Sequence, residues 1–461
     1  MNFTKIIDFF NNEKRAKTIA RGAIGIFILS TVYAIMLTAG WSNGDNWFFT
    51  GSSNGKFMLN RVGLDCGRMA LLAYLDYNIL PFLPYAGTIM SYHFWNALAF
   101  SAFILLMFYI FKMGMGGILG TYLAATFAIL IPLAYNPILF VHMDIIYPER
   151  AACLFLALFI VAYIKALETD KITHWIFALV FATILIYVKE PFIGMFTTLG
   201  AFTLYCKTLS KNAKWFSIAL IVDVAIFLIL WYFLSYMKSE IMYGDVFSSK
   251  IKHTIGRIFK LLYGQPLLIV IIALGFWRLR EVIGKKDRSK FFYDVTLFGG
   301  LGYMSIPFYM GMFLSGVSTY HYFYIPVIIA TAPSVAYWTN YALSSRKTFK
   351  YGRAILIIVI LCARILPIGE IIEKNRADTI AAIQLIGFEK LGIPIQTYGA
   401  TGFPHITNFI KQIMPDVLND KINESDSHYN IKPLYIVGER DYEKFECSAT
   451  RVRNIANFIM L

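Results

Sequence analysis

Repeated apolar stretches of membrane-spanning length constrain the fold of this chain more than any other feature of its sequence. A helix needs about 20 apolar residues to cross the hydrocarbon core of a bilayer. Stretches of that kind lie near residues 20–40, 89–111, 117–135, 151–167, 174–188, 191–206, 215–236, 264–280, 291–313, 321–343 and 352–370. The pattern predicts an all-α polytopic membrane protein with about eleven transmembrane helices.

The charge content agrees with a chain that has lipid as its main solvent. Charged residues make up 15% of the chain, whereas soluble globular proteins carry roughly 25%. The formal net charge of +14 would suit a nucleic-acid-binding protein, but the basic residues are spread over the connectors between apolar stretches. Because that distribution is a membrane-topology signal, we expect no nucleic-acid partner.

The basic residues also predict the orientation of the helices. With the N-terminus inside, the inside connectors hold 21 Lys and Arg residues, and the longer outside connectors hold 10. The positive-inside rule therefore predicts a cytoplasmic N-terminus. An odd number of helices then places the C-terminal segment outside. We predict a membrane domain over 1–372 and an outer domain over 373–461, where turn residues and a strand-like run at 434–437 indicate a small α+β fold.

The first outer connector, residues 41–88, is long and carries two candidate functional residues. Asp45 follows the first predicted membrane helix by a few residues, and Arg68 lies further along the connector. A helix-capping carboxylate and a snorkelling interfacial arginine are the structural alternatives for these two residues. The apolar stretch that follows, 69–84, is too interrupted to span a bilayer and predicts helices lying along the interface.

The remaining outer connectors contain further charged groups. Ionisable residues near a membrane are costly to place and often functional. The second connector has His142, Asp144, Glu149 and Arg150 within nine residues, a Lys189-Glu190 pair joins two apolar stretches directly, and His321 lies at the outer end of the tenth stretch. A fourth segment, 238–263, has basic and apolar residues at helical spacing and predicts an amphipathic helix on the outer leaflet.

Acidic and basic groups at one face of the membrane suit transfer from a polyprenyl-phosphate sugar. One carboxylate would act as general base on the acceptor hydroxyl, and cations would stabilise the departing lipid phosphate. No soluble nucleotide-binding domain is expected, because the donor is already linked to lipid.

The layout resembles a GT-C glycosyltransferase, which has a long first outer loop with an early Asp, many membrane helices and an outer C-terminal domain. The chain is similar to the O-antigen glucosyltransferases of serotype-converting phages at four places: Asp45, Gly67-Arg68, Leu71-Leu72 and the segment 78–84. Those enzymes typically have paired acidic residues at the first position, whereas Asn46 follows Asp45 here.

The resemblance implies a role for each candidate residue. Asp45 would be the base and Asp144 or Glu149 the second acid, with Arg68, Arg150 and Lys189 binding phosphate beside Glu190, His142 and His321. The donor would be an undecaprenyl-phosphate sugar and the acceptor a cell-surface glycan such as O-antigen lipopolysaccharide. The location would be the bacterial cytoplasmic (inner) membrane.

Two other functions remain open from the sequence. An O-antigen or capsule polymerase would work at the same membrane face, but the polymerases this chain could resemble have a large outer loop in the middle of the chain. A lipid-linked glycan flippase or transporter would favour charges near the bilayer midplane and internal repeats. A divalent metal requirement and pairing of Cys66 with Cys447 are likewise undecided.

Overall fold

The computed structural model describes the core of the predicted membrane domain. The described residues are 12–37, 69–86, 89–206, 210–238, 251–284, 290–313, 321–345, 349–363, 396–397 and 436–437. Side chains at 89, 251–255, 257, 309–313, 396–397 and 436–437 are not included in that description. Asp45, Arg68, Cys66, Cys447 and almost all of the predicted C-terminal domain lie outside it.

Helices account for nearly all of the described chain. They are α1 (Glu13–Leu37), α2 (Ile89–Gly114), α3 (Gly117–Ala134), α4 (Pro137–Met143), α5 (Glu149–Thr169), α6 (Ile172–Val188), α7 (Phe192–Tyr205), α8 (Lys211–Leu234), α9 (Ile251–Gly264), α10 (Pro266–Gly284), α11 (Phe291–Phe313), α12 (Ile325–Ser344) and α13 (Phe349–Cys362). Three 3₁₀ helices cover Leu75–Phe82, Tyr236–Lys238 and His321–Tyr324. Strands β1 (Gln396–Thr397) and β2 (Ile436–Val437) pair in parallel.

An α-helix occurs at each of the eleven predicted apolar stretches. In the described part of the chain, five helices are long and apolar enough to cross a bilayer: α1, α2, α3, α5 and α8. A sixth results if 258–264 and α10, which are bent by 102°, are counted as one span. Helices α6 and α7 are apolar but shorter. The structure is thus an all-α protein with several helices of membrane-spanning length, and the count of eleven spans stays a prediction.

Local sequence explains where several helices begin. Proline precedes α5 at position 148 and α7 at position 191, and proline is the first residue of α4. Its fixed φ suits a helix start, and its missing N–H is not needed there. Helix α8 is instead capped by Ser210, the residue before it, whose hydroxyl accepts a hydrogen bond from the Ala213 amide at 3.2 Å.

Helix α12 lies at the centre of the bundle. Its first twelve residues, 325–336, are all buried, and a helix that is apolar all round is the kind that a bundle buries completely. It packs against α5, α11 and α13, while α5 also packs against α2 and α6. Helix α8 contacts α6 and α7 and exposes an apolar face, which places it at the edge.

Glycines allow α7 and α11 to pack with close backbone contact. A Cβ atom on Gly194 would collide with the carbonyl oxygen of Gly302, and one on Gly302 would collide with Gly194 and Thr198. Small residues at such crossings are characteristic of helix pairs in membranes, where close van der Waals packing drives association. The contact fixes α7, and therefore the turn that precedes it, against α11.

A buried ion pair joins α10 to α11 where α10 ends and α11 begins. Arg278 Nε lies 2.7 Å from Asp294 Oδ1, and Arg278 Nη2 lies 2.9 Å from Asp294 Oδ2. The guanidinium carbon also lies 4.3 Å from the ring centroid of Trp338 on α12. A bidentate pair that is nearly inaccessible to solvent holds three helices in register.

We expect Arg278→Met to destabilise the fold by about 3–5 kcal/mol, because it leaves the Asp294 carboxylate buried without its partner. Thermal unfolding of purified protein in detergent measures the effect. Arg280→Met, which removes an exposed arginine from the same helix, is the control and should leave the unfolding temperature unchanged. An Arg278→Met/Asp294→Leu double variant should recover most of the loss, and failure to recover would contradict the ion-pair explanation.

Candidate functional site

Several predicted site residues meet at one end of the helix bundle. Helices α2, α5, α7 and α12 begin at this end, and α6 ends there. The connector from α3 to α5, the three-residue turn 189–191 and the 3₁₀ helix His321–Tyr324 all lie beside one another. We call Glu149, Lys189, Glu190, Tyr322 and Phe323 the acid–base cluster.

An ion pair between Glu149 and Lys189 forms the centre of the cluster. The Lys189 ammonium contacts Glu149 Oε1, and the two side chains are only 0% and 3% exposed, Glu149 being the more buried. Glu149 is the first residue of α5, and Lys189 follows the last residue of α6. Both charges therefore lie at the helix end that stabilises their sign.

The second carboxylate oxygen of Glu149 has no hydrogen-bond donor among the described residues. A buried carboxylate oxygen without a donor is unfavourable, because desolvation is not compensated there. The oxygen is thus a hydrogen-bond acceptor that a hydroxyl group could satisfy. A carboxylate that transfers protons must have a donor within about 2.6–3.2 Å, so Glu149 can take that role only when a hydroxyl group reaches this buried oxygen.

Two aromatic rings cover the lysine. The Lys189 ammonium lies 3.9 Å from the ring centroid of Phe323 and 5.5 Å from that of Tyr322. Cation–π contacts of this kind stabilise a desolvated ammonium group. Tyr322 packs against Tyr147 at 4.7 Å between centroids, and the Tyr135 hydroxyl donates a hydrogen bond to the His321 carbonyl. We call Tyr322 and Phe323 the aromatic wall.

Glu190 connects the cluster to the described part of the first predicted outer connector, residues 69–86. Its Oε1 accepts a hydrogen bond from the Met69 amide at 3.0 Å, and the Leu72 amide donates to the Tyr187 carbonyl at 2.9 Å. The described part of the connector that carries Asp45 and Arg68 therefore begins beside this cluster. Asp45 and Arg68 themselves lie outside the described residues, so their predicted roles stay predictions.

Arg150 makes contacts that hold the protein architecture together. Its Nη2 donates to both carboxylate oxygens of Asp76, at 3.0 and 3.1 Å, and its Nη1 donates to the carbonyls of Ile145 and Tyr147. The guanidinium carbon lies 3.6 Å from the centroid of the Tyr77 ring. We call this arrangement the Arg150–Asp76 clamp. It fixes the 3₁₀ helix Leu75–Phe82 against the start of α5.

Asp144 and His142 are buried in the connector before α5. Asp144 Oδ1 accepts hydrogen bonds from the amides of Ile145 and Ile146, at 2.6 and 3.3 Å, which shapes the turn after α4. His142 Nδ1 lies 2.7 Å from the Ile138 carbonyl, and its ring packs against Phe100. These contacts account for both residues structurally, and their predicted catalytic and binding roles stay predictions.

The described residues contain no group of three or more His, Cys, Asp or Glu side chains that could hold a metal ion. Cys153, Cys206 and Cys362 are buried and unbridged. A cavity of about 220 Å³ lies at the opposite end of α2 and α5, between Gly114, Glu168 and Tyr293. It is remote from the acid–base cluster and contains none of the predicted site residues.

No protein-family model matches the chain, and no curated protein is significantly similar to it. The functional assignment must therefore rest on the geometry of the acid–base cluster and on the short motifs of the first connector.

Sequence reasoning missed the partners of the predicted charges. The predicted site residues do not include Asp76, which anchors Arg150, or Trp95, whose indole N–H donates to Asp76 Oδ2 at 2.7 Å. They also do not include Asn96, which donates to the Asp144 carbonyl at 3.0 Å. The available signal was a lone carboxylate within the apolar stretch 69–84, because such a group usually has a buried partner.

We expect Asp76→Ala to destabilise the protein by about 3–5 kcal/mol, because it leaves the Arg150 guanidinium buried without a counter-charge. Trp95→Phe removes one hydrogen bond to a charged group and should cost about 1.5–3 kcal/mol. Thermal unfolding in detergent measures the loss of stability in each variant. A smaller loss for Asp76→Ala than for Trp95→Phe would contradict the structural role of the Arg150–Asp76 clamp.

Proposed function

We propose that this protein is an integral membrane glycosyltransferase that moves a sugar from a polyprenyl-phosphate donor to a cell-surface glycan. The observation that carries the proposal is the buried Glu149–Lys189 pair beneath the aromatic wall. It combines a carboxylate and an ammonium group in a desolvated position at the ends of membrane-type helices. The reaction uses groups of both kinds, because carboxylates transfer the proton of the acceptor hydroxyl and a cation stabilises the lipid phosphate.

In the proposed topology, eleven helices cross the membrane with the N-terminus in the cytoplasm. The acid–base cluster then faces the outside, and residues 373–461 form an outer domain. The excess of basic residues at the opposite connectors supports this orientation. We propose the bacterial cytoplasmic membrane as the location, which the resemblance to O-antigen glucosyltransferases suggests.

The proposed mechanism begins when the donor phosphate approaches Lys189. The phosphate would compete with Glu149 for the ammonium group, and Asp45 would act as the base that accepts the proton of the acceptor hydroxyl. The oxygen of that hydroxyl would attack the anomeric carbon while the bond to the lipid phosphate breaks. Lys189 would stabilise the departing phosphate as a point charge, and the first connector would supply Asp45 and Arg68 to the same site.

A repeat-unit polymerase is the second candidate, because it would use the same lipid-linked chemistry at the same face. The two functions differ in their products. Comparison of the host surface glycan with and without this gene, by gel ladder and repeat-unit mass, separates them. An intact ladder with a repeat unit lighter by one sugar supports the transferase, collapse to a single repeat supports the polymerase, and an unchanged glycan overturns both.

We expect replacement of the cluster pair, Glu149→Leu/Lys189→Met, to reduce sugar transfer by about 100-fold or more, the contribution typical of a group that stabilises charge developing in the transition state. Hydrophobic replacement of a buried ion pair is often neutral for stability, so the protein should still fold. The matched control is Arg278→Met/Asp294→Leu, which replaces a buried pair at the other end of the bundle and should retain transfer. Full transfer by the cluster variant would show that its pair is purely structural.

We also expect Asp45→Asn to abolish transfer in membranes that contain normal amounts of protein, because the amide cannot accept a proton. Incorporation of labelled sugar into the acceptor glycan measures the loss. Asp65→Asn removes a carboxylate from the same connector and serves as the control. Full activity of Asp45→Asn would reassign the base, and Glu149 would then be the next residue to test.

A further inference from the structure

Helix α9 lies across the end of α10 rather than along it. The segment Ile258–Gly264 and helix α10 are bent by 102° at Gln265, where Pro266 begins the next helix. If α10 crosses a bilayer with the usual tilt of about 20°, then α9 lies close to the membrane plane. Leu261 is only 1% exposed, which shows that α9 is anchored on the bundle along one face.

The opposite face of α9 has the chemistry of a membrane interface. Phe259 and Tyr263 lie one turn apart and are 67% and 87% exposed, and Lys260 between them is also exposed. Aromatic rings and lysines are typical of the headgroup region, where the ring enters the lipid and the ammonium remains near phosphate. Residues 246–280 include Lys250, Lys252, Arg257 and Lys260 but no Asp or Glu. This charge is complementary to an anionic lipid surface.

The last residue of α9 adjoins the acid–base cluster. The Gly264 backbone lies beside the His321 ring, because a Cβ atom added to this glycine would be 3.8 Å from His321 Cε1. The His321 carbonyl accepts a hydrogen bond from Tyr135, and the next two residues are the aromatic wall over Lys189. The end of α9 and the aromatic wall are therefore neighbours in space.

We propose that α9 is a docking surface for anionic phospholipid, and that its attachment to the lipid headgroups holds the aromatic wall over Lys189. The occupant is the bilayer surface itself. Exposed aromatic rings are favoured at the interface of a lipid bilayer, and a run of basic residues without acids favours phosphate. The docking requires that α10 crosses the bilayer, but it does not require sugar transfer. The docking proposal and the glycosyltransferase proposal can therefore fail independently.

Backbone hydrogen exchange of the full chain in lipid nanodiscs tests this proposal without reference to activity. The comparison is between discs of pure phosphatidylcholine and discs in which a third of the lipid is phosphatidylglycerol. Each basic residue near an anionic surface contributes about fivefold in binding. We therefore expect amides of 251–264 to exchange about fivefold or more slowly in the anionic discs, with amides of 321–324 slowing in parallel.

The variant Lys252→Glu/Arg257→Glu/Lys260→Glu should lose the slowing at both segments. The neutral variant Lys252→Gln/Arg257→Gln/Lys260→Gln should lose most of the slowing. It shows whether the loss in the charge-reversed variant comes from the missing positive charges or from misfolding. The matched control reverses Lys171, Lys211 and Lys214, three exposed lysines at the other end of the bundle, and should retain the slowing.

Four results would overturn all or part of the proposal. Equal exchange in neutral and anionic discs would exclude anionic lipid as the occupant. Slowing in neutral discs on addition of inorganic phosphate would indicate a site for free phosphate, and slowing that requires two chains per disc would indicate a second copy. If 251–264 slows while 321–324 does not, α9 docks on lipid but does not hold the aromatic wall.

Discussion

A charge that is removed from water needs a partner, and this requirement organises the whole described structure. The ionised forms of Asp, Glu, Lys and Arg are too costly to bury alone. Three buried pairs meet the requirement, and each joins segments that are distant in sequence or belong to different helices: Glu149–Lys189, Arg150–Asp76 and Arg278–Asp294. Apolar packing alone would permit many helix arrangements, whereas these pairs favour one.

The three pairs are not equivalent in what they can do. The carboxylates of Asp76 and Asp294 each receive two hydrogen bonds from an arginine, which is the geometry of a structural anchor. Glu149 faces a lysine, a flexible point charge whose attachment is more easily exchanged for another anion. The aromatic wall over Lys189 also lies beside the surface helix α9. This difference is why the proposed chemistry is assigned to the Glu149–Lys189 pair.

Sequence alone could predict the positions of the helices but not the partners of the charges. Apolar length is a local property, so an α-helix occurs at each predicted stretch, and the break at 189–191 separates α6 from α7 as expected. The contact of Glu149 with Lys189 depends on how α5 packs against α6, and that of Arg150 with Asp76 depends on a chain returning from residue 69. Such non-local packing leaves no periodic pattern in the sequence.

Glu149 and Arg150 are neighbours in the chain, yet they bind partners on different segments. Successive residues of an α-helix point about 100° apart, so the first turn of α5 presents an acid to the α6–α7 turn and a base to the 3₁₀ helix Leu75–Phe82. The rotational position of the first turn of α5 is therefore fixed by two ion pairs at once. An insertion of one residue in α5 directly after Arg150 would turn both side chains by about 100° relative to the rest of the helix, so that neither charge would meet its counterpart.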